Sequence, residues 1–519
     1  RIVYASQSVW ANGQVLYRVQ SLGTTTTFTN EDIFELGHLD VIDVVDDVPA
    51  VAVTLNTNDF GDVRTLAILA QVQVTRRAMS ATATSSNANL VFGGGYIHGV
   101  AMADFAITCG NLTGITLWAP VQGECDLGTL ANNIDQTLFL DEVYINSLEF
   151  SYTTGANATE NYGAETDNKM WLLNDGAYVS MEVPTVTAAM TDFTVASGVV
   201  IPMLSTGNYA FLRKDTNGYP AITVYDVSEN EALNYAIKSN VASDYNAVTD
   251  FGFTAAQMAT TGAKTISVPS GLVLGAADRI EVIYAGNAYN LVAGNTYFEA
   301  LDSADVDRPY DVGALRQGQV EIYIVDPDNV GTTYENAWRL TGVTVSADLT
   351  REPLTELGHL GPYDRPVTMP IPLTVTVEST AGDLANWARF AGLTFDGNLD
   401  DIDLNDLMTK DNLILVAKVF EQTDEEAGGT GAARKAINMV GKTYQSNGTV
   451  GTYASATAQE YAMKTIVVKN LKITDEAMTL DVGANATQTF GFRSNNDLFV
   501  VKGDITNPAH LATLGRNIS

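Results

Sequence analysis

A five-residue word written twice, Glu35-Leu36-Gly37-His38-Leu39 and Glu356-Leu357-Gly358-His359-Leu360, constrains this chain more than any other feature. The two copies of the word stand 321 residues apart. At the same offset Arg18 meets Arg339, Glu31 meets Glu352, Asp43 meets Asp364, Pro49 meets Pro370 and Gly61-Asp62 meets Gly382-Asp383. Residues 17–70 and 338–391 share 14 identities in 54 positions, where chance at ordinary composition gives roughly three. A second block repeats at an offset of 328: Gly155-Ala156-Asn157-Ala158-Thr159 against Gly483-Ala484-Asn485-Ala486-Thr487, followed by Gly163 against Gly491 and Trp171 against Phe499. A duplicated unit is the reading. Residues 1–175 form the first copy and residues 316–519 the second. The unrepeated residues 176–315 are expected to be an inserted β-rich domain.

Each copy reads as mostly β. Ile322-Tyr323-Ile324-Val325 and Val467-Val468 are β-branched or aromatic runs punctuated by Gly, Asn and Asp. In the insert, Thr265–Val268 and Arg279–Tyr284 read as strands between turn residues. One short helix is expected per copy: Val63, Leu66, Ala67 and Ala70, and again Leu384, Trp387, Ala388 and Ala391, follow i, i+3, i+4, i+7. Asp62 and Asp383 precede these runs, where an acid favours a helix start. The strand ahead of the helix poses a conflict. Val51, Val53 and Leu55 alternate in one phase, and Leu373, Val375 and Val377 in the other. A bulge or a one-residue slip in one copy would reconcile them.

Composition removes several functional classes. Only 17% of residues are charged, yet 61 acids against 28 bases leave a net charge of -33. Scarce Lys and Arg argue against a protein that grips nucleic acid by its phosphates. Two cysteines exclude a disulfide scaffold, and four histidines leave little for a multi-histidine metal site. Cys109 and Cys125 would close a short loop worth up to about 3 kcal/mol if oxidised, but nothing signals an oxidising compartment and free thiols are expected. Arg1–Gln7 shows no apolar leader segment, and no stretch approaches the ~18 apolar residues of a membrane span.

The chemical motifs are weak. Gly428–Lys435 has the wrong spacing for a phosphate loop and reads as a surface loop. Gly93-Gly94-Gly95 lacks dinucleotide-binding spacing. Asp396, Asn398 and Asp400 open like a calcium loop, but Asp401 and Leu407 stand where Gly and Glu are needed, so a solvated acidic turn is expected. His38 and His359 hold matched positions and read as packed or hydrogen-bonded histidines at strand ends, with an interfacial pH sensor as the alternative. Asn157 and Asn485 sit in Asn-Ala-Thr sequons, which matter only in a secreted glycoprotein. No enzyme, cofactor or metal is expected.

The order of the repeated pieces resembles the tail tube proteins of tailed bacteriophages. Those pieces are Glu35-Leu36-Gly37 with Gly155–Glu160, and Glu356-Leu357-Gly358 with Gly483–Gln488. The repeated structural residues are thus Glu35, Leu36, Gly37, His38, Gly155, Asn157 and Thr159, with Glu356, Leu357, Gly358, His359, Gly483, Asn485 and Thr487. Gln488 replaces Glu160, so that acid need not have one role in both copies. The resemblance implies a mainly β fold, with two β-sandwich or barrel domains each carrying a short flanking helix. It also implies rings whose inner sheets join into a tube, and two domains per chain imply a trimer with pseudo-sixfold symmetry. The expected partners are further copies of the chain stacked head to tail, other tail proteins at the tube ends, and viral DNA passing through an electronegative lumen without specific binding. The expected place is the virion, assembled in the host cytoplasm, with no membrane partner and with the insert outside the tube. An extracellular surface-layer or fibre protein is the alternative, and a β-rich carbohydrate-active enzyme with paired carboxylates a third.

Overall fold

The computed structural model describes, with short gaps, residues 9–70, 90–105, 115–122, 134–182, 190–195, 222–253, 264–287, 320–329, 340–393, 403–419, 443–451 and 462–516. The fold is mainly β, and at the centre of its 16-stranded sheet network lie eight antiparallel strands that form one continuous sheet. In chain order its strands are β1 (Val19–Thr27), β2 (Ala50–Thr57), β3 (Ile134–Thr153), β4 (Thr159–Thr166), β5 (Leu340–Asp348), β6 (Pro372–Thr380), β7 (Lys464–Thr479) and β8 (Thr487–Asn495). Their order across the sheet is β1-β2-β4-β3-β5-β6-β8-β7. The first four strands and the last four follow the same pattern. β3 and β5 join them edge to edge, with Phe150 opposite Val345 and Thr153 opposite Gly342.

The same residues that repeat in sequence repeat in pairing. Between β1 and β2 a two-stranded arm pairs Asn30 with Asp46 and Ile33 with Asp43. Between β5 and β6 the bridges are Arg351 with Val367 and Leu354 with Asp364, the same positions plus 321. The conflict of strand phase also resolves. Leu22 pairs with Leu55 in the first copy, whereas Val343, its counterpart at 321, pairs with Val377, one residue beyond. The arm still matches at Val367, so the extra residue lies within 368–371. A one-residue slip flips a strand's faces, which is why Leu373, Val375 and Val377 are the buried set.

β3 and β7 are long, 20 and 16 residues, because each serves two sheets. The second half of each lies in the central sheet. The first half of β3 pairs with Ile115–Gln122 and Asn168–Leu173, and that of β7 with Leu413–Val419 and Leu498–Lys502. Register shifts at Ile145/Ser147 and Ile473/Asp475 mark the crossings, as expected where a strand bends from one sheet to another. At both, the partner strand carries a glycine. A Cβ on Gly163 would fall 2.2 Å from Ser147 Oγ, and one on Gly491 would fall 2.2 Å from Asp475 Oδ1. The bulge brings its side chain over the neighbouring strand, and only glycine leaves room.

Among the described residues only one face of the central sheet is packed. Val51, Val53, Phe150, Val345, Val375 and Phe490 point into a core shared by both copies. Helix α1 (Arg64–Leu69) lies in that core through Leu66 and Ala67. Trp387 and Phe390, on the matching helical turn, meet Phe490 edge to face at 5.9 and 4.5 Å. The copies interlock further: Gly99–Ala101 of the first pairs with Leu498–Lys502 of the second, and Leu90 and Ala101 complete its second core. A second helix, Leu404–Thr409, is closed by a capping box between Asp403 and Asp406 and buries Leu407. Strands within 177–287 pair only with each other among the described residues, in two four-stranded sheets. No helix among the described residues is long and apolar enough to cross a membrane.

Candidate functional site

Among the described residues, the open face of the central sheet and its two free edges are the surfaces left for function. Strand alternation places Ser, Thr and Asn across most of that face: Thr25, Thr54, Asn161, Ser151, Thr344, Thr374 and Thr489. Asn56 Nδ2 donates to Asn161 Oδ1, whose own amide donates to Glu149 Oε1 at 3.1 Å. Ser151 and Thr344 meet at 3.5 Å across the joint between the copies. A shallow concavity of about 790 Å³ follows the sheet here, lined by polar residues including Ser21, Asn56, Ser147, Glu149 and Ser346. The strand positions on this face include five acids (Glu149, Glu165, Asp348, Glu378, Asp475) and two bases (Lys472, Arg493).

The free edges are β1 and the second half of β7, which among the described residues pair only with β2 and β8. Register makes β7 the counterpart of β3, with Ile473, Met478 and Leu480 standing for Ile145, Phe150 and Tyr152. Burial separates the counterparts sharply. Phe150 and Tyr152 are 0% and 6% exposed beneath the second copy, whereas Met478 and Leu480 are 52% and 70% exposed. At the other end Leu349, following β5, is fully buried, and its counterpart Phe28, following β1, is 74% exposed. Each end of the chain therefore presents one half of a joint that the middle of the chain already closes.

The internal joint shows how the halves fit. The Leu349 amide donates to Asn146 O at 2.8 Å. Arg351 Nε donates to Ile145 O at 2.7 Å, and its guanidinium lies over the Tyr144 ring. Burial lowers the pKa of that guanidinium to about 10, partly offset by Glu165. Arg365 pairs with Glu165 at 3.0 Å. Deeper, Lys464 of the second copy reaches Glu160 of the first at 2.5 Å, both essentially without solvent. Glu160 also accepts from the Tyr162 hydroxyl. Gln488, the counterpart of Glu160, instead donates to Glu476, so the matched positions do have different partners.

The repeated motif residues take two places. Glu35, Leu36 and Gly37 form the tip of the first arm, with Gly37 at φ 96° and Leu36 fully exposed; Glu356 and Leu357 form the second tip, with Leu357 equally bare. Gly155, at φ 79°, and Asn157 shape the turn into Thr159, the first residue of β4. Thr487 likewise opens β8. The pairing directions put arms and turns at opposite rims of the sheet, so the two motifs do not meet. His38, Gly358, His359, Gly483, Asn485, Asp62, Asp383, both cysteines, Gly428–Lys435 and Asp396–Asp401 lie outside the described residues. Among the described residues no three His, Cys, Asp or Glu side chains gather as a metal site. Sequence reading missed both edges, because exposure of Phe28 or Met478 is visible only beside the burial of its counterpart.

No family model matches the chain, and no curated protein matches it either.

Proposed function

We propose that this chain is a structural virion protein that polymerises as stacked rings into the tail tube of a tailed bacteriophage. The observation that carries the reading is the pair of open edges, β1 and β7, which are the unmade counterparts of the internal β5–β3 joint. Joining β7 of one chain to β1 of the next repeats a contact the fold already tolerates. It is heterologous, so it propagates until rotation closes a ring, and it covers strands that would otherwise invite aggregation. Three chains supply 24 strands. At about 4.8 Å per strand and a tilt of 35–45°, the backbone circle is roughly 45–52 Å across. Barrels of 16–18 strands already hold an aqueous channel. The packed side of the sheet faces outward and its polar side lines the bore, with arms and turns directed at the rings above and below. The insert lies outside, where it leaves the channel unobstructed.

Negative-stain imaging of the purified full chain, with native mass measurement of its smallest closed species, tests the reading. Hollow tubes built from trimers are expected. A persistent monomer, a flat lattice as in a surface layer, or rings of six full chains would overturn it.

A further inference from the structure

The geometry points to a charge-inverted joint between chains: the acidic arm of residues 28–49 docks on Lys472 and Arg493 of a second copy, where the internal joint instead sets cationic Arg351 and Arg365 on Tyr144 and Glu165. This inference rests on the ring reading and specifies its partner face.

Lys472 and Arg493 are register partners on β7 and β8, side by side on the open face. Like charges directly opposite destabilise a sheet, and among the described residues neither has an ion-pair partner. Their counterparts in the first copy are Tyr144 and Glu165, also register partners, and these receive Arg351 and Arg365 of the second arm. The first arm has no base to offer. Asn30 and Val44 stand where Arg351 and Arg365 stand, Asp46 and Asp32 hold the register positions opposite them, and Asp32 is exposed. Residues 28–49 contain seven acids and no Lys or Arg. The receiving face has gained two bases, while the arm has lost both arginines and gained Asp32 and Asp46, so its net charge goes from -1 over residues 349–370 to -7 over residues 28–49. The arm with two arginines fits only the internal joint and the arm with none only a neighbour, which blocks an arm from folding back on the wrong copy of its own chain.

Assembly of the full chain is followed by analytical ultracentrifugation across a salt series, for wild type, Lys472→Glu/Arg493→Glu, Asp32→Lys/Asp46→Lys, and all four changes together. Each double variant is expected to raise the concentration needed for ring formation on the order of a hundredfold, the quadruple variant to recover most of it, and wild-type assembly to weaken with salt. Circular dichroism melting identifies any variant that has lost its fold. In that event Lys472→Gln/Arg493→Gln, which removes charge without reversing it, is expected to weaken assembly less steeply while abolishing most of the salt dependence. If wild type forms rings and the folded variants match it in concentration and salt response, the charge-inverted joint is wrong and the ring stands. If wild type forms no rings at any salt, both fail.

Discussion

Glu160 and Lys464, 304 residues apart in sequence, form an ion pair at 2.5 Å with each side chain 1% exposed. Lys464 also lies 5.5 Å from the centre of the Phe150 ring. The pair locks the outer sheet of the second copy onto the central sheet of the first. Breaking a buried pair from one side leaves an uncompensated charge, whereas replacing both partners does not. Lys464→Met is therefore expected to lower the unfolding free energy by about 3–5 kcal/mol. Adding Glu160→Gln should restore much of the loss, and denaturant titration of the three variants measures it.

Tyr152 shows the opposite economy. Its ring is buried at the internal joint, and its hydroxyl has no hydrogen-bond partner among the described residues. Burial, and then the charge of Glu160, push its pKa well above the usual tyrosine value. An unsatisfied buried hydroxyl is a net cost. Tyr152→Phe is expected to leave stability unchanged or raise it by about 1 kcal/mol, read from the shift in denaturant midpoint.

Asp504 makes stability depend on pH. Burial raises its pKa above 3.8, and Lys418 at 2.7 Å offsets this only in part. The native state then holds the proton to higher pH than the unfolded chain does. As pH climbs from about 3.8 through the raised native value, the contribution of this site to stability falls. Asp504→Asn cannot titrate. The difference between wild-type and variant stability, followed by urea melts across that window, should therefore shrink with rising pH. A constant difference would show that the carboxyl has no raised pKa.

Much of the architecture was readable from the repeat. The offset of 321 that pairs Glu35 with Glu356 in sequence also relates the arm pairings Asn30–Asp46 and Arg351–Val367. The apolar spacing of Leu66 and Ala67 placed α1 correctly, since period is a local property. The joint was not readable, because it consists of differences between matched residues. Phe28 and Leu349 are both large and apolar, and nothing local distinguishes the bare one from the buried one. The helix at Leu404–Thr409 was missed for another reason. Its six residues are too few to show a period, and what closes it is the capping box of Asp403 and Asp406.

In the proposed ring the register of the chain-to-chain joint follows from the internal one. Glu149 pairs with Ser346 inside the chain. Their counterparts at the free edges are Ala477 on β7 and Thr25 on β1. Paired strand positions lie about 4.5–5.5 Å apart, within reach of a disulfide. Thr25→Cys with Ala477→Cys is expected to give covalently closed trimers on mild oxidation, seen on a non-reducing gel. Thr27→Cys with Ala477→Cys, shifted by two residues on the same face, should stay unlinked. Linkage of the shifted pair in its place would move the register without removing the ring.

The last expectation concerns what passes through the bore of the proposed tube. On the open face five acids outnumber two bases, and the inferred joint engages Lys472 and Arg493 with acids of the next chain. In the proposed tube the surface that remains toward the channel is rich in Ser, Thr and Asn, with exposed acids such as Asp348 and Glu378. Duplex DNA carries one negative charge per ~1.7 Å of axis, and cationic walls bind it by releasing counterions. An acidic wall instead repels it within the ~8 Å screening length at physiological salt, and its hydroxyls and amides offer only weak, exchangeable hydrogen bonds. Wild-type tubes should therefore not retain short duplex DNA in co-sedimentation. Tubes of Asp348→Lys/Glu378→Lys, changed at positions away from both edge strands, should assemble normally and retain it. Their binding should fall steeply with salt, with a slope of about -0.9 for each phosphate neutralised. Retention by wild-type tubes at physiological salt would mean that the wall binds DNA, and a bore lined by this face could not then serve as a passive conduit.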